Sequence, residues 1–137
     1  MNVLSGEVSA ENGVPVLRSN GTTLPLPPTA KVEAGQMVKY GIRPEHLRPS
    51  FTEAGIPAKV IIVEPTGPEI HIYADLGTQE VCAISQDRVD LSPGDNIRLV
   101  PALERVHLFE PVTGIAINGT GLGLPSPSSS RDRLVTT

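Results

Sequence analysis

Residues 41–47 read Gly41-Ile42-Arg43-Pro44-Glu45-His46-Leu47, and the rest of the chain can be interpreted outward from this heptad. In the segment 38–43, apolar residues alternate with charged or small ones, as in a half-buried strand. Pro44 removes a backbone donor and disfavours a helical conformation at Arg43. We therefore expect the strand to end at this proline or to lie at the edge of a sheet.

The strand end brings three polar side chains together in sequence, those of Arg43, Glu45 and His46. One interpretation is a structural corner in which Arg43 and Glu45 pair or cap the turn, and exposed pairs of this kind stabilise a protein little. The other interpretation is a contact site for another molecule. Because Pro44 fixes the backbone of Arg43, we favour the corner for Arg43, and we expect His46 to face the surface.

Several segments, in order, resemble one family. The heptad is similar to the signature of the transport-associated oligonucleotide/oligosaccharide-binding-like (TOBE) domain, which ends the ATPase subunits of sugar-type ABC importers such as the maltose and glycerol-phosphate systems. The resemblance covers roughly residues 1–117. The other matching segments are Met1-Asn2-Val3-Leu4 with Gly6 and Val8, Val63-Glu64-Pro65-Thr66-Gly67, Gly94-Asp95, and His107-Leu108-Phe109-Glu110 with Thr113-Gly114.

The resemblance implies a function in protein–protein contact and not in catalysis. The implied partners are the ATPase domain of an ABC transporter, a second copy of the chain and a regulatory protein. The implied location is the cytoplasm, peripheral to the inner membrane through the transporter complex. The residues of the matching segments that we take as interface candidates are Gly41, Arg43, Pro44, Glu45, His46, Glu64, Gly67, His107 and Phe109.

The composition favours a small globular β protein. The chain has 137 residues, of which 39% are hydrophobic, and it contains 13 glycines and 14 prolines, a content typical of many short strands and turns. The net charge of −4 argues against nucleic-acid binding. Cys82 is the one cysteine, so an intramolecular disulfide is excluded and a reducing compartment is expected. We see neither a signal peptide nor an apolar run long enough for a membrane span.

The pattern of apolar residues and turns predicts an all-β fold, with OB-fold-like small barrels in two intertwined lobes of short antiparallel strands. We expect the domain to cover 1–118, with lobes of about 1–50 and 51–118, followed by a flexible Gly/Pro/Ser tail over 119–137. The predicted strands are 3–10, 14–18, 22–26, 38–43, 60–63, 70–76, 80–84, 96–100, 106–109 and 114–118, with single helical turns at 45–47 and 86–91 and a loop over 48–56.

Three side chains of the second half carry predictions about burial. The continuous apolar run 60–63 is typical of a central strand covered on both faces, so Ile62 is expected to be buried beside Ile72. Cys82 is expected to be a small core residue. The chain also contains a weak internal repeat, as two related β lobes would produce. The segment from Gly35 through Glu45 to His46-Leu47 resembles the segment from Gly94 through Glu104 to His107-Leu108.

The sequence lacks the motifs that catalysis would need. No glycine precedes a lysine, so no phosphate-binding loop is present, and no Gly-x-Ser-x-Gly elbow occurs. The histidines at 46, 71 and 107 do not have the spacing of a zinc site. We therefore expect a chain that is not an enzyme and that needs no cofactor or metal.

Two other functions are left open. The opening segment Met1–Val8 partly resembles that of molybdate-binding relatives, although the arginine and small residues before the asparagine are missing, so the chain could be a small-oxyanion-binding domain. A nucleic-acid-binding barrel is the remaining alternative, which the acidic net charge and the 3% aromatic content disfavour.

Overall fold

The computed structural model describes residues 1–52, 54–77 and 79–117. Within these residues it contains ten β-strands and two short 3-10 helices, Pro44–His46 and Leu103–Arg105. No helix among them is long and apolar enough to cross a membrane. The strands are β1 (Asn2–Glu11), β2 (Val14–Ser19), β3 (Thr22–Pro25), β4 (Met37–Ile42), β5 (Leu47–Ser50), β6 (Ile56–Thr66), β7 (Glu69–Asp75), β8 (Glu80–Ser85), β9 (Asn96–Pro101) and β10 (His107–Phe109).

The strands form two antiparallel five-stranded sheets. The first has the order β10-β4-β1-β2-β3 and the second the order β5-β9-β6-β7-β8. β5 follows the first 3-10 helix and pairs with β9, whereas β10 follows the second 3-10 helix and pairs with β4. Each half of the chain therefore contributes a strand to the other half's sheet, which confirms the predicted all-β fold with intertwined lobes.

The structure shows two equivalent segments, in which the predicted pairing of Glu45 with Glu104 is right and that of His46 with His107 is wrong. In the first half Gly35 donates its N–H to the carbonyl oxygen of Val8, and in the second half Gly94 donates to that of Val60, both at 2.8 Å. Both glycines have positive φ, 90° and 94°. Counted from these glycines, the 3-10 helices occupy equivalent positions, and the equivalent of His46 is Arg105 instead of His107.

The predicted turns of the first sheet form as two-residue hairpins. Asn12 and Gly13 join β1 to β2, and Asn20 and Gly21 join β2 to β3. All four residues have positive φ, between 51° and 85°. Such turns match the twist of the strands they connect, which is why Asn-Gly is a strong local hairpin signal.

The core consists of the inward-facing side chains of both sheets, and its largest fully buried side chain is Tyr40. The Tyr40 hydroxyl donates a hydrogen bond of 2.8 Å to the carbonyl oxygen of Pro25. Burial raises the pKa of this phenol, so the group stays neutral and acts as a donor. The buried apolar residues are Leu4, Val8, Leu17, Leu24, Leu26, Val38, Tyr40, Ile42, Leu47, Ile56, Ala58, Val60, Ile72, Ala74, Val81, Ala83, Ile97, Leu99, Val106, Leu108 and Ile117.

The prediction for the run 60–63 is wrong for Ile62. A bulge between Val60 and Ile62 inserts one residue into β6, so Val60 pairs with Ala74 but Ile62 pairs with Tyr73. Ile62 is consequently 46% exposed, whereas Ile72 is fully buried as predicted. A one-residue insertion reverses the facing of every later side chain in a strand.

Four other local predictions need correction. The predicted loop over 48–56 contains most of β5, Leu47–Ser50, where the exchange with β9 supplies a partner strand. The segment 86–91 has no helical turn, and the predicted strand 114–118 is reduced to an isolated bridge between Ala116 and Phe109 among the described residues. Cys82 is half-buried on the face of β8 opposite the core. Residue 118 and the predicted tail over 119–137 lie outside the described residues.

Candidate functional site

The heptad folds as predicted into a strand end followed by a turn. Arg43 is extended, with φ −74° and ψ 148°, because Pro44 follows it. The backbone N–H of His46 donates to the carbonyl oxygen of Arg43 at 3.0 Å, and the N–H of Leu47 donates to that of Pro44. The 3-10 helix Pro44–His46 thus turns the chain out of the first sheet and into β5 of the second.

The second 3-10 helix lies beside the first. The N–H of Ala102 donates to the carbonyl oxygen of His46 at 2.9 Å, and the N–H of Arg105 donates to that of Ala102 at 2.8 Å. His107 then pairs with Gly41 in the β4–β10 ladder. Residues that are distant in sequence are therefore neighbours at the point where the two halves exchange strands.

We call this region the corner surface and define it as Arg43, Glu45, His46, Glu104, Arg105 and His107. The four charged residues are exposed, and the two histidines are half-buried. None of the four charged residues forms an ion pair or a side-chain hydrogen bond within the part of the chain that the structure describes. The Arg43–Glu45 pair of the structural-corner interpretation is accordingly not formed there, and Arg43 does not cap the turn with its side chain.

Three positive groups of the corner surface act on His107. Burial lowers the pKa of His107, and the nearby positive groups of Arg43, His46 and Arg105 lower it further. Nδ1 of His46 is buried and has no hydrogen-bond partner among the described residues. The site offers charge and hydrogen-bonding groups for recognition, and within the described residues no three His, Cys, Asp or Glu side chains are placed to share a metal ion.

Gly41 and Phe109 shape the neighbouring outer face of the first sheet. A Cβ atom at Gly41 would lie 3.0 Å from Sδ of Met1 and 3.4 Å from Cε2 of Phe109, so a larger residue here requires the Met1 side chain to shift by a few tenths of an ångström. The rings of His107 and Phe109 stack with centroids 6.2 Å apart. The stacking holds the His107 ring at the edge of the corner surface.

Two of the predicted site residues lie elsewhere. Glu64 is exposed on β6 opposite His71, and Gly67, with φ 75°, forms the turn between β6 and β7. The structure brings Gly41, Arg43, Pro44, Glu45, His46, His107 and Phe109 together and does not bring Glu64 and Gly67 to them.

Comparison with known proteins identifies the family of this arrangement. The family model of the TOBE domain matches residues 40–109, and that of the MalK OB fold domain matches residues 1–47. The chain belongs to the TOBE domain family. The two matches overlap at 40–47, which contains the heptad where this TOBE domain passes from its first sheet to its second.

Relatives of this TOBE domain are named as ATP-binding proteins of ABC transporters. An uncharacterised ABC transporter ATP-binding protein of Sinorhizobium fredii is 44% identical over 87% of this chain and 32% of that protein. The sn-glycerol-3-phosphate import ATP-binding protein UgpC 2 of Agrobacterium fabrum is 33% identical over 88% of this chain and 32% of its own length. The maltose/maltodextrin import ATP-binding protein MalK of Vibrio cholerae is 37% identical over 70% of this chain and 27% of its own length. The chain thus spans about a third of the curated relatives it matches.

One solved structure shows the same fold at low sequence identity. The cytoplasmic molybdate-binding protein ModG, with molybdate bound, superposes with a TM-score of 0.60 over 83% of this chain and 95% of that chain. The identity is 18%, so the likeness extends to the fold alone.

Sequence reasoning did not name Glu104 and Arg105 as site residues of this TOBE domain, although it aligned Glu104 with Glu45 in the internal repeat. It aligned the repeat on the two His-Leu pairs, which placed His107 in the position that Arg105 occupies. Counting from Gly35 and Gly94, whose positive φ marks equivalent turns, keeps Glu104 opposite Glu45 and places Arg105 opposite His46.

Proposed function

We propose that this TOBE domain is a non-catalytic regulatory and interaction domain of the ATP-binding subunit of a sugar-type ABC importer, and that the corner surface is its contact site. The observation that carries the proposal is the set of four exposed charges, Arg43, Glu45, Glu104 and Arg105, without an ion-pair partner among the described residues. Charges that an isolated fold leaves unpaired at one place are available to a complementary protein surface.

The arrangement suits an interface in three respects. Arginine is enriched among the residues that dominate binding energies, and two arginines belong to the corner surface. The half-buried histidines add a flat, partly apolar centre between the charges. Gly41 and Pro44 set its shape, with Phe109 beneath the His107 ring. The exposed end of the β6–β7 hairpin, with Glu64 and Gly67, is proposed as a second contact.

The names of the relatives support the choice of partners. They are ATP-binding proteins of importers, and the matched part is about a third of each. We propose the ATPase domain as the main partner, with a second copy of the chain and a regulatory protein as further ones. The location that follows is cytoplasmic and peripheral to the inner membrane through the transporter complex.

The small-oxyanion alternative is not proposed, because the residue it depends on is already engaged. Nδ2 of Asn2 donates to the carbonyl oxygen of Cys82 at 2.8 Å, and Oδ1 of Asn2 accepts from the N–H of Cys82 at 2.9 Å. The side-chain amide of Asn2 therefore makes hydrogen bonds within the fold both as a donor and as an acceptor. The nucleic-acid alternative lacks an electrostatic basis at a net charge of −4.

The test uses Arg43→Ala and Glu45→Ala in the chain, with Arg88→Ala, an exposed arginine outside the corner surface, as the control. Calorimetric titration measures binding to the part of the Sinorhizobium fredii relative that this domain does not match, and sedimentation measures self-association. We expect unchanged melting temperatures and a loss of about 2 kcal/mol in one association, roughly thirtyfold in Kd. Unchanged association in both assays, or the same loss in Arg88→Ala, would remove the corner surface from the proposal.

A further inference from the structure

A surface cleft of about 500 Å³ lies on the outer face of the second sheet, away from the corner surface. The floor of the cleft consists of exposed or half-buried side chains of cross-strand partners, which form two adjacent rows across the sheet. One row consists of Ser50, Arg98 and Pro57, and the next consists of Asn96, Lys59 and Asp75.

The two sides of the cleft differ in character. On one side, Leu76 and Gly77 are held by hydrogen bonds, because the Asp75 carboxylate accepts from the N–H of Gly77 at 2.8 Å and Thr22 of β3 donates to the carbonyl oxygen of Leu76 at 3.2 Å. On the other side stands Phe51, directly after β5, with 65% of its surface exposed. A hydrogen-bonded backbone segment therefore forms one side of the cleft, and an exposed aromatic ring stands on the other.

The floor of the cleft is rich in donors that the fold does not use. Neither the Lys59 ammonium nor the Asn96 side-chain amide makes a hydrogen bond or ion pair within the described residues. Among the described residues, Arg98 makes a single long hydrogen bond, from Nη1 to the carbonyl oxygen of Gly55 at 3.5 Å. The exposed Asp75 carboxylate, which accepts one backbone hydrogen bond, also lines the cleft, so the cleft presents two cations, one anion and an amide toward any ligand.

We propose that this cleft binds a phosphorylated sugar, with the phosphate between Lys59 and Arg98 and the sugar ring against Phe51. Guanidinium and ammonium groups form charge-assisted hydrogen bonds with phosphate oxygens. A few convergent polar groups beside an apolar surface are the usual make-up of a small-molecule site. Phe51 is the one aromatic residue lining the cleft, which suits a ring stacked on one face and not a base held between two.

The proposal uses no residue of the corner surface, so it stands or fails independently of the proposed function. The probes are glucose 6-phosphate, inorganic phosphate, glucose and AMP, each titrated into the chain and followed by calorimetry and amide chemical shifts. Glucose 6-phosphate is expected to bind more tightly than the other three and to shift the amides of β6 and β9.

Three variants and one control locate the binding. Lys59→Gln and Arg98→Gln are each expected to weaken glucose 6-phosphate binding about tenfold, since each removes a charge-assisted contact. Phe51→Ala is expected to weaken binding of glucose 6-phosphate and to leave inorganic phosphate unaffected. The control Arg88→Gln removes an exposed arginine that does not line the cleft, and it should bind as the parent chain does.

Several outcomes would overturn the proposal. Equal weakening in Arg88→Gln would mean that net charge attracts the phosphate. Tighter binding of AMP than of glucose 6-phosphate would assign the cleft to nucleotides, and no binding at millimolar glucose 6-phosphate would leave it without the proposed ligand. The side chains of Phe51, Lys59 and Arg98 are all exposed, so each variant is expected to fold. Circular dichroism checks that it does.

Discussion

Replacing Asn2 by Ala removes two hydrogen bonds that join the first sheet to the second. Asn2 begins β1, and its amide binds both the carbonyl oxygen and the N–H of Cys82 on β8, at 2.8 and 2.9 Å. β8 is an edge strand, so these two backbone groups have no neighbouring strand to pair with. The side chain of Asn2 thus takes the place of a partner strand at this position.

The cost follows from these two bonds. A neutral hydrogen bond contributes about 0.5–1.5 kcal/mol net, and a buried polar group left without a partner costs about 1–3 kcal/mol. Both Asn2 and Cys82 are half-buried, so water can replace part of the loss. We expect Asn2→Ala to lower the free energy of unfolding by about 2 kcal/mol, which is roughly 8 °C in melting temperature for a domain of this size.

Urea denaturation at constant pH, with scanning calorimetry beside it, measures this loss. Asn96→Ala is the matched control, because Asn96 is exposed and makes no side-chain hydrogen bond within the described residues, so it should change stability by less than about 0.5 kcal/mol. Asn2→Asp keeps the acceptor, loses the donor and faces the Cys82 carbonyl with a negative charge, so it should cost at least as much as Asn2→Ala. If Asn2→Ala and Asn96→Ala are equally stable, the inter-sheet bonds do not stabilise the fold and the reasoning is refuted.

Two further predictions concern the core and the corner surface. Ile72→Ala should cost about 2–5 kcal/mol in urea denaturation because Ile72 is fully buried, whereas Ile62→Ala, at 46% exposure, should cost well under half as much, and equal costs would contradict the bulge in β6. His107 has a pKa below its ordinary value of 6.5 in the fold, so the unfolded chain binds its proton first as the pH falls. The contribution of neutral His107 to stability should therefore be fully present above about pH 6.5 and should decrease as the pH falls through the lowered pKa. The variant His107→Gln should lose less stability between about pH 7 and 5. Identical pH profiles of the variant and the parent chain would contradict this assignment.

Much of the fold was predictable because its signals are local. The Asn-Gly turns at 12–13 and 20–21 need positive φ at adjacent residues, which few other residue pairs adopt easily. Period-two alternation marked β4 and β7, and Pro44 marked the end of β4, since proline restricts its own backbone and that of the preceding residue. At the candidate site, the heptad identified the first 3-10 helix and three of the six residues of the corner surface.

Other features depend on partners that are distant in sequence. Leu47–Ser50 is a strand because β9 lies beside it, and the pairing of Asn2 with Cys82 requires both sheets to be assembled. The bulge in β6 turns the Ile62 side chain to the other face of the sheet. All four residues of the run 60–63 are apolar, so the sequence contains no alternation that could indicate this change. Arg105 reaches the corner surface through the hydrogen bond between Ala102 and His46. The sequence by itself determined most strands and the turns between them, because backbone conformation responds to adjacent residues. Only the tertiary structure decided the exchange of strands and the side chains that meet, because these depend on which surfaces pack together.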